Sequence, residues 1–120
     1  MQAATAQDWK ALPMPAHRQH LTVSRNFTPL EAEKIALGLI PEEMEDKWFI
    51  YFDAPFLHFH RSWTGFEIFR VELQHDKNGN CEIVDCWANR DSQQYRYVDD
   101  EFDIQQLNSL IDFGLLKRNI

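Results

Sequence analysis

Phe66-Glu67-Ile68-Phe69-Arg70-Val71-Glu72-Leu73-Gln74-His75 is followed by Asp76-Lys77-Asn78-Gly79-Asn80 and then by Cys81-Glu82-Ile83-Val84-Asp85-Cys86-Trp87-Ala88-Asn89-Arg90. In the first run Phe69, Val71 and Leu73 alternate with Ile68, Arg70, Glu72 and Gln74, the period-two pattern of a strand with one apolar face. Asn78-Gly79 suits the positive φ angles of a type I′ turn. A two-residue loop there sets Leu73 opposite Val84, Val71 opposite Cys86 and Phe69 opposite Ala88, all apolar on one side. Turn and alternation agree, so residues 66–90 read as an antiparallel hairpin. Its other side presents Ile68, Arg70, Glu72, Asp85, Trp87 and Asn89, with Arg70 across from Trp87 in a geometry that allows a cation–π contact.

Upstream lies a dense aromatic block. The 24 residues from Lys47 to Arg70 hold nine of the sixteen aromatic residues in the chain. Trp48-Phe49-Ile50-Tyr51-Phe52 is too short for a helix between Asp46 and the Asp53-Ala54-Pro55 turn, and reads as a strand covered on both faces. Residues 56–62 return antiparallel to it. A turn at Ala54-Pro55 pairs Ile50 with Phe59 in the core and gathers Phe49, Tyr51, His58 and His60 on the face of Arg70 and Trp87.

Helices flank these strands. Thr28-Pro29-Leu30-Glu31 is a capping box with proline at the first helical position, and Ala32, Ile35, Ala36 and Leu39 form one helical face before Pro41 stops it. Asp103 and Gln106 signal a second start, followed by Ile104, Leu107, Leu110 and Ile111 and a close at Gly114. Residues 1–26, with Pro13 and Pro15, show no sustained period. They read as an N-terminal arm of low order or with an edge strand over residues 21–25, docking through Trp9, Leu12, Leu21 and Val23. The expected fold is α+β: a four-stranded antiparallel meander sheet packed with an N-terminal and a C-terminal helix, as one domain over residues 27–120.

The chain has 120 residues, a formal net charge of −7 and 13% aromatics, which suits one folded core rather than an acidic disordered tail. Such a charge argues against general binding of nucleic acid or anionic membrane, both of which need phosphate neutralised. No apolar run approaches a membrane span and the N-terminus lacks a secretory pattern, so a cytoplasmic setting is expected. Cys81 and Cys86, five apart on one strand, should point to opposite faces, and their spacing is not that of a C-x-x-C site.

Several residues could carry chemistry. His58 and His60 share one side of a strand, as metal ligands can, but the third ligand, Asp85 or Glu72, is not signalled by spacing, so no metal or other cofactor is expected. Ser62 with His60 and Asp46 lacks the strained elbow and oxyanion donors of a nucleophilic serine, and no catalytic residue is assigned. Glu42, Glu43, Glu45 and Asp46 form an acidic run that reads as a solvated loop or a patch for a basic partner. Asp99, Asp100, Glu101 and Asp103 suit a helix N-terminus.

Glu45-Asp46-Lys47-Trp48-Phe49-Ile50-Tyr51 and His60-Arg61-Ser62-Trp63-Thr64-Gly65 resemble an E-D-K-W-F-I-Y … H-R-S-W-T-G signature of small bacterial proteins and domains, some in chains that also handle ADP-ribose. The resemblance spans residues 30–71. It implies a local site of Lys47, Trp48, His60, Arg61, Trp63 and Thr64 and transfers no activity. In the expected hairpin Lys47 faces Ser62 and Trp48 faces Arg61, so the two motifs meet at one end of the sheet.

Two functions follow as expectations. One is a non-enzymatic binding module of immunity, antitoxin or anti-defence type, using Tyr51, His58, Arg70 and Trp87 and the acidic run against a basic protein, with self-association left open. The other is a site for a nucleotide-like or ADP-ribose-like anion at Lys47, Trp48, His60, Arg61 and Trp63.

Overall fold

In the computed structural model, residues 2–96 and 99–119 are described. Strands β1 (Arg18–His20), β2 (Asn26–Phe27), β3 (Trp48–Asp53), β4 (Phe56–Arg61), β5 (Glu67–His75) and β6 (Cys81–Asn89) form one antiparallel sheet. The order across it is β1-β6-β5-β4-β3, with β2 also on β6. The meander of four strands is present, and the arm extends it. The edge pairing falls at β1 and β2 rather than over residues 21–25. Between them Leu21 donates its N–H to the Cys86 carbonyl and turns its side chain into the core.

Helix α1 (Pro29–Leu37) begins as its capping box dictates, with Thr28 and Glu31 exchanging hydrogen bonds. It ends at Gly38, before Pro41. Gly38 has φ 68°, and a Cβ there would run into the Ile50 carbonyl oxygen. The chain turns because Leu39 leaves the helix and bridges Ile50, with N···O distances of 2.8 and 2.9 Å. Helix α2 (Asp100–Ser109) is capped by Asp99, not Asp103. Asp103 instead lies buried within it, bonded to the Tyr95 hydroxyl and 2.7 Å from an Arg90 guanidinium nitrogen. The helix runs past Gly114 as a π-helical segment, Leu110–Leu116. Leu107, Ile111 and Leu115 recur every four residues and are all buried; that spacing is wider than an α turn, and the π segment accommodates it.

Both helices cover one face of the sheet. There Ile35, Leu107, Ile111 and Leu115 pack with Ile50, Leu57, Phe59, Phe69, Val71, Cys86 and Ala88, each large side chain contributing about 1.5–3 kcal/mol by leaving water. The first hairpin turns at Ala54-Pro55, joined by a cis peptide, and pairs Ile50 with Phe59 as expected.

Two bulges correct the simple alternation. The register of β5 and β6 follows the expected pairing from Phe69↔Ala88 to Glu72↔Asp85, then slips, so Leu73 faces Ile83 rather than Val84. The loop is the five residues from Asp76 to Asn80, gathered by the Asp76 carboxylate, which accepts from the backbone N–H of Asn78 and Asn80 and from the Asn80 amide. These bonds, the Asn80 side chain first, hold the Asp76 carboxyl below its ordinary pKa. Val84 is therefore extra, and Cys81 and Cys86 fall on the same buried face, both unpaired. Burial pushes their thiols up to about 11 and about 12.

The second bulge lies between β4 and β5, where Phe59 pairs Phe69 but His60 pairs Glu67. Ile68, expected beside Arg70, is the extra residue and turns into the core. Glu67 takes its place on the opposite face.

That opposite face is covered at one end by the arm. Ala4 is buried there with Phe49 and Tyr51, and Ala6 and Ala11 pack against them. Leu12 donates its N–H to the Gly65 carbonyl (2.9 Å), the Trp9 indole donates to the Ser62 carbonyl (2.7 Å) and the Lys10 ammonium to the Trp63 carbonyl (3.1 Å). Trp9 and Leu12 nonetheless stay exposed, while Ala4 and Met14 provide the buried contacts.

Candidate functional site

The face opposite the helices carries one rung that crosses five strands. Tyr51 pairs His58, His58 pairs Arg70, Arg70 pairs Trp87 and Trp87 pairs His20. Tyr51 stacks on His58 at 4.7 Å between centroids. The Arg70 guanidinium lies between two rings, 5.1 Å from Trp87 and 5.2 Å from Phe56. His20 meets Trp87 edge-on and bonds Asp85 at 2.8 Å. The expected clustering of Tyr51, His58, His60, Arg70 and Trp87 on one face is the observed one. Its cover is partial: the arm buries Tyr51 and His60, while His58, Arg70 and Trp87 are half-buried.

Beneath the arm the bulge at Ile68 brings a third group to the two histidines. Glu67 accepts a hydrogen bond from His58 Nδ1, and both side chains are largely out of water. Candidate ligand atoms of His58, His60 and Glu67 lie within 4.8 Å of one another. Neither Asp85 nor Glu72 takes this place. Strict alternation put Glu67 on the core side; the signal against that was Ile68-Phe69, an apolar pair that leaves one member on a polar face.

His60 is 2% exposed. Its Nδ1 lies 2.8 Å from the Gly65 carbonyl oxygen, an acceptor only, so Nδ1 carries the proton. Burial lowers the pKa of His60 against smaller opposing effects, so the ring is neutral. Burial raises the Tyr51 phenol, with the charges of Glu67 and Asp53 adding to it. The Ser62 hydroxyl donates to the Asp46 carbonyl at 2.7 Å, and His60 Nδ1 donates to the Gly65 carbonyl, so the two side chains are directed to separate backbone partners.

At the end of the sheet the two motif strings meet as expected. Trp48 pairs Arg61, whose guanidinium sits 4.6 Å over the Trp48 ring, and Ser62 donates its N–H to the Lys47 carbonyl. Trp48 also stacks on Phe69 from inside, at 6.0 Å. Trp63 projects outward, 62% exposed, with its indole N–H held by the Met44 carbonyl at 2.9 Å.

Trp63 borders two shallow clefts. One, of about 450 Å³, is lined by Trp9, Lys10, Glu42, Glu43, Met44, Ser62 and Trp63. The other, of about 210 Å³, is lined by Lys47, Arg61, Trp63, Thr64 and Gln94. Lys47, Arg61, Trp63 and Thr64 thus come together, whereas His60 lies apart in the face beneath the arm and Trp48 serves as the platform for Arg61. Within the acidic run, Asp46 closes the loop by accepting from the N–H groups of Glu42 and Glu43, which leaves the carboxylates of Glu42, Glu43 and Glu45 exposed.

Among the described residues no helix is long and apolar enough to cross a membrane. Comparison with protein-family models, curated proteins and solved structures finds no match to this chain. Fold and geometry define a small α+β domain with an aromatic sheet end, and its function rests on that geometry.

Proposed function

We propose that the chain is a small non-enzymatic protein-binding module, in the manner of an immunity protein, an antitoxin or an anti-defence inhibitor, and that it engages a basic partner at the Trp63 end of the sheet. The observation that carries this reading is the grouping of three exposed apolar side chains, Trp9 (41%), Met44 (75%) and Trp63 (62%), around one cleft with exposed acids on its rim. A contiguous exposed apolar patch edged by charge is the composition of a protein contact, and tryptophan dominates such contacts. Hydrogen bonds to backbone carbonyls hold both indoles before any partner arrives, which lowers the ordering cost of association. Glu42, Glu43 and Glu45 would attract cationic side chains and speed encounter. The unpaired Cys81 and Cys86 support a reducing, cytoplasmic setting.

A second reading, a nucleotide-like or ADP-ribose-like anion between Lys47 and Arg61, is supported by the second cleft with Trp63 as a stacking wall. Its volume, about 210 Å³, lies below the roughly 300 Å³ at which ordinary small-molecule pockets begin.

Affinity capture from the native host with the full chain separates the two. Wild type is expected to retain a stoichiometric basic protein. Trp63→Ala should weaken that complex by about 2 kcal/mol, some thirtyfold. Joint Glu42→Lys and Glu43→Lys should slow association and remove its salt dependence. Phe113→Ala, at an exposed aromatic on the π-helical segment, should change nothing. Recovery of no partner, or equal recovery with Trp63→Ala, overturns the reading; a thermal shift with ADP-ribose that is lost in Arg61→Ala favours the second.

A further inference from the structure

The geometry points to a divalent transition-metal site formed by His58, His60 and Glu67 in the sheet face beneath the arm. It is separate from the Trp63 surface and does not depend on that reading.

Three observations converge. First, the three groups come from adjacent strands and share one face because of the bulge at Ile68, which rotates Glu67 toward the histidines. A bulge that redirects one side chain is a common device at functional sites. Second, the buried Nε2 of His60 has no hydrogen-bond partner among the described residues. With Nδ1–H donated to the Gly65 carbonyl, Nε2 is left as a bare lone pair. This is the second-sphere arrangement of a metal-binding imidazole, whose far nitrogen is held by a carbonyl and whose near nitrogen is free to coordinate. With no donor to that lone pair among the described residues, burial carries a desolvation cost that no hydrogen bond offsets. Third, Glu67 is buried, pairs His60 across the strands and hydrogen-bonds His58 Nδ1, so its carboxylate lies beside both imidazoles where a cation could be held.

The ligand set is two imidazoles and one carboxylate. It suits zinc or a neighbouring first-row ion and excludes the all-oxygen preference of calcium and magnesium. His58 Nδ1 and Glu67 already touch, and the widest spacing, up to 4.8 Å, exceeds the roughly 3.4 Å edge of a tetrahedral zinc site, so binding requires a small inward movement. His58 is the partner able to make it, being half-buried at the margin of the arm's cover. Three protein ligands leave a fourth position for water on the His58 side. Two charged or ionisable neighbours bound the site. Arg70 pairs His58, but its guanidinium is drawn along the strand between Phe56 and Trp87. Tyr51 stacks on both imidazoles, with its phenol kept protonated.

The test uses the full chain, stripped by chelation, titrated with Co²⁺ or Zn²⁺ alone. One Co²⁺ per chain with the visible absorption of a four-coordinate N/O site is expected, together with a rise in Tm on adding Zn²⁺. Glu67→Gln, which keeps the bond from His58, and His60→Asn, which keeps a donor to Gly65, should each weaken binding at least tenfold. His17→Gln, His20→Gln and His75→Gln combined should leave it intact. In wild-type protein the ring signals of His60 should move at one equivalent of Zn²⁺. This last measurement decides the matter even if a variant fails to fold. No binding by any of Zn²⁺, Co²⁺, Mn²⁺ or Fe²⁺ overturns the proposal. So does binding that survives both Glu67→Gln and His60→Asn, binding that is lost in the surface triple variant, or a His60 ring that does not respond.

Discussion

The two faces of the sheet are built from the same strands and hold different chemistry. Under the helices, Phe59, Phe69, Val71, Cys86 and Ala88 are each 0% exposed, and the buried polar group there is Asp103, held by Arg90 and Tyr95. Under the arm, Phe49 and Tyr51 share the surface with His60 and Glu67, and beyond the arm the rung opens through His58, Arg70 and Trp87. The two helices bring Ile35, Leu107, Ile111 and Leu115 onto the sheet, so the strand positions facing these side chains must be apolar to pack. The arm brings small contacts such as Ala4 and donates backbone hydrogen bonds, so polar groups can persist beside it. One face is committed to the core, and the other keeps polar and ionisable side chains among its aromatics.

The largest effect should come from breaking the helix side. Phe69 stacks on Trp48 and meets Phe59 edge-on, fully buried. Phe69→Ala should cost about 3–5 kcal/mol in urea denaturation. A loss no larger than that of Trp87→Ala would erase the contrast between the faces.

A smaller effect isolates the arm side. The pKa of His60 in the fold lies below its ordinary 6.5 because the ring is buried. Above pH 6.5 both folded and unfolded chains hold it neutral, and it contributes no pH dependence. As pH falls below that value the unfolded chain takes up the proton and the folded chain does not, so stability declines. The slope should reach up to about 1.4 kcal/mol per pH unit until the folded pKa is met. Metal-free wild type and His60→Asn should therefore diverge in denaturant midpoint between pH 6.5 and 5, with the variant flatter. Parallel curves would mean that His60 gains its proton in the folded state as readily as in the unfolded one.

The smallest effect should come from the open rung. Arg70 has a buried Nε without a hydrogen-bond partner among the described residues and lies between two rings. Arg70→Met keeps the stem and removes both cation–π contacts. It should cost about 1 kcal/mol or less, read by the same denaturation. A loss of several kcal/mol would place Arg70 among the structural groups rather than the accessible ones.

The helix-facing side was legible because burial there is periodic. Ile50 with Phe59 and Phe69 with Ala88 follow from alternation and one turn each. The capping box at Thr28 and Glu31 was equally plain, since its bonds are local. The errors fall where a local preference met a distant constraint. Asn78-Gly79 favours a two-residue turn, but the Asp76 side chain gathers five residues and displaces Val84. Pro41 is a helix breaker, but the approach of the Ile50 carbonyl ends the helix earlier, at Gly38. Asp103 has the look of a cap, but a buried arginine and a tyrosine draw it inside the fold. Of the candidate site, the sheet-face residues and the meeting of Trp48 with Arg61 were readable from register. The part played by Glu67 was not, since a bulge reverses which face a residue serves.

By itself the sequence determined an acidic α+β domain, an antiparallel meander with an aromatic block, and the apolar members of its helix-covered face. These follow from periodicity and local hydrogen bonding, which act over a few residues. Tertiary structure alone decided that the arm adds two short strands and covers part of the other face, that Cys81 and Cys86 share one side, and that Glu67 joins His58 and His60. Each of these depends on a bulge or on chain crossing from a distant segment. A one-residue shift in pairing reverses the side on which every later residue lies, and only the packing of the whole chain selects that shift.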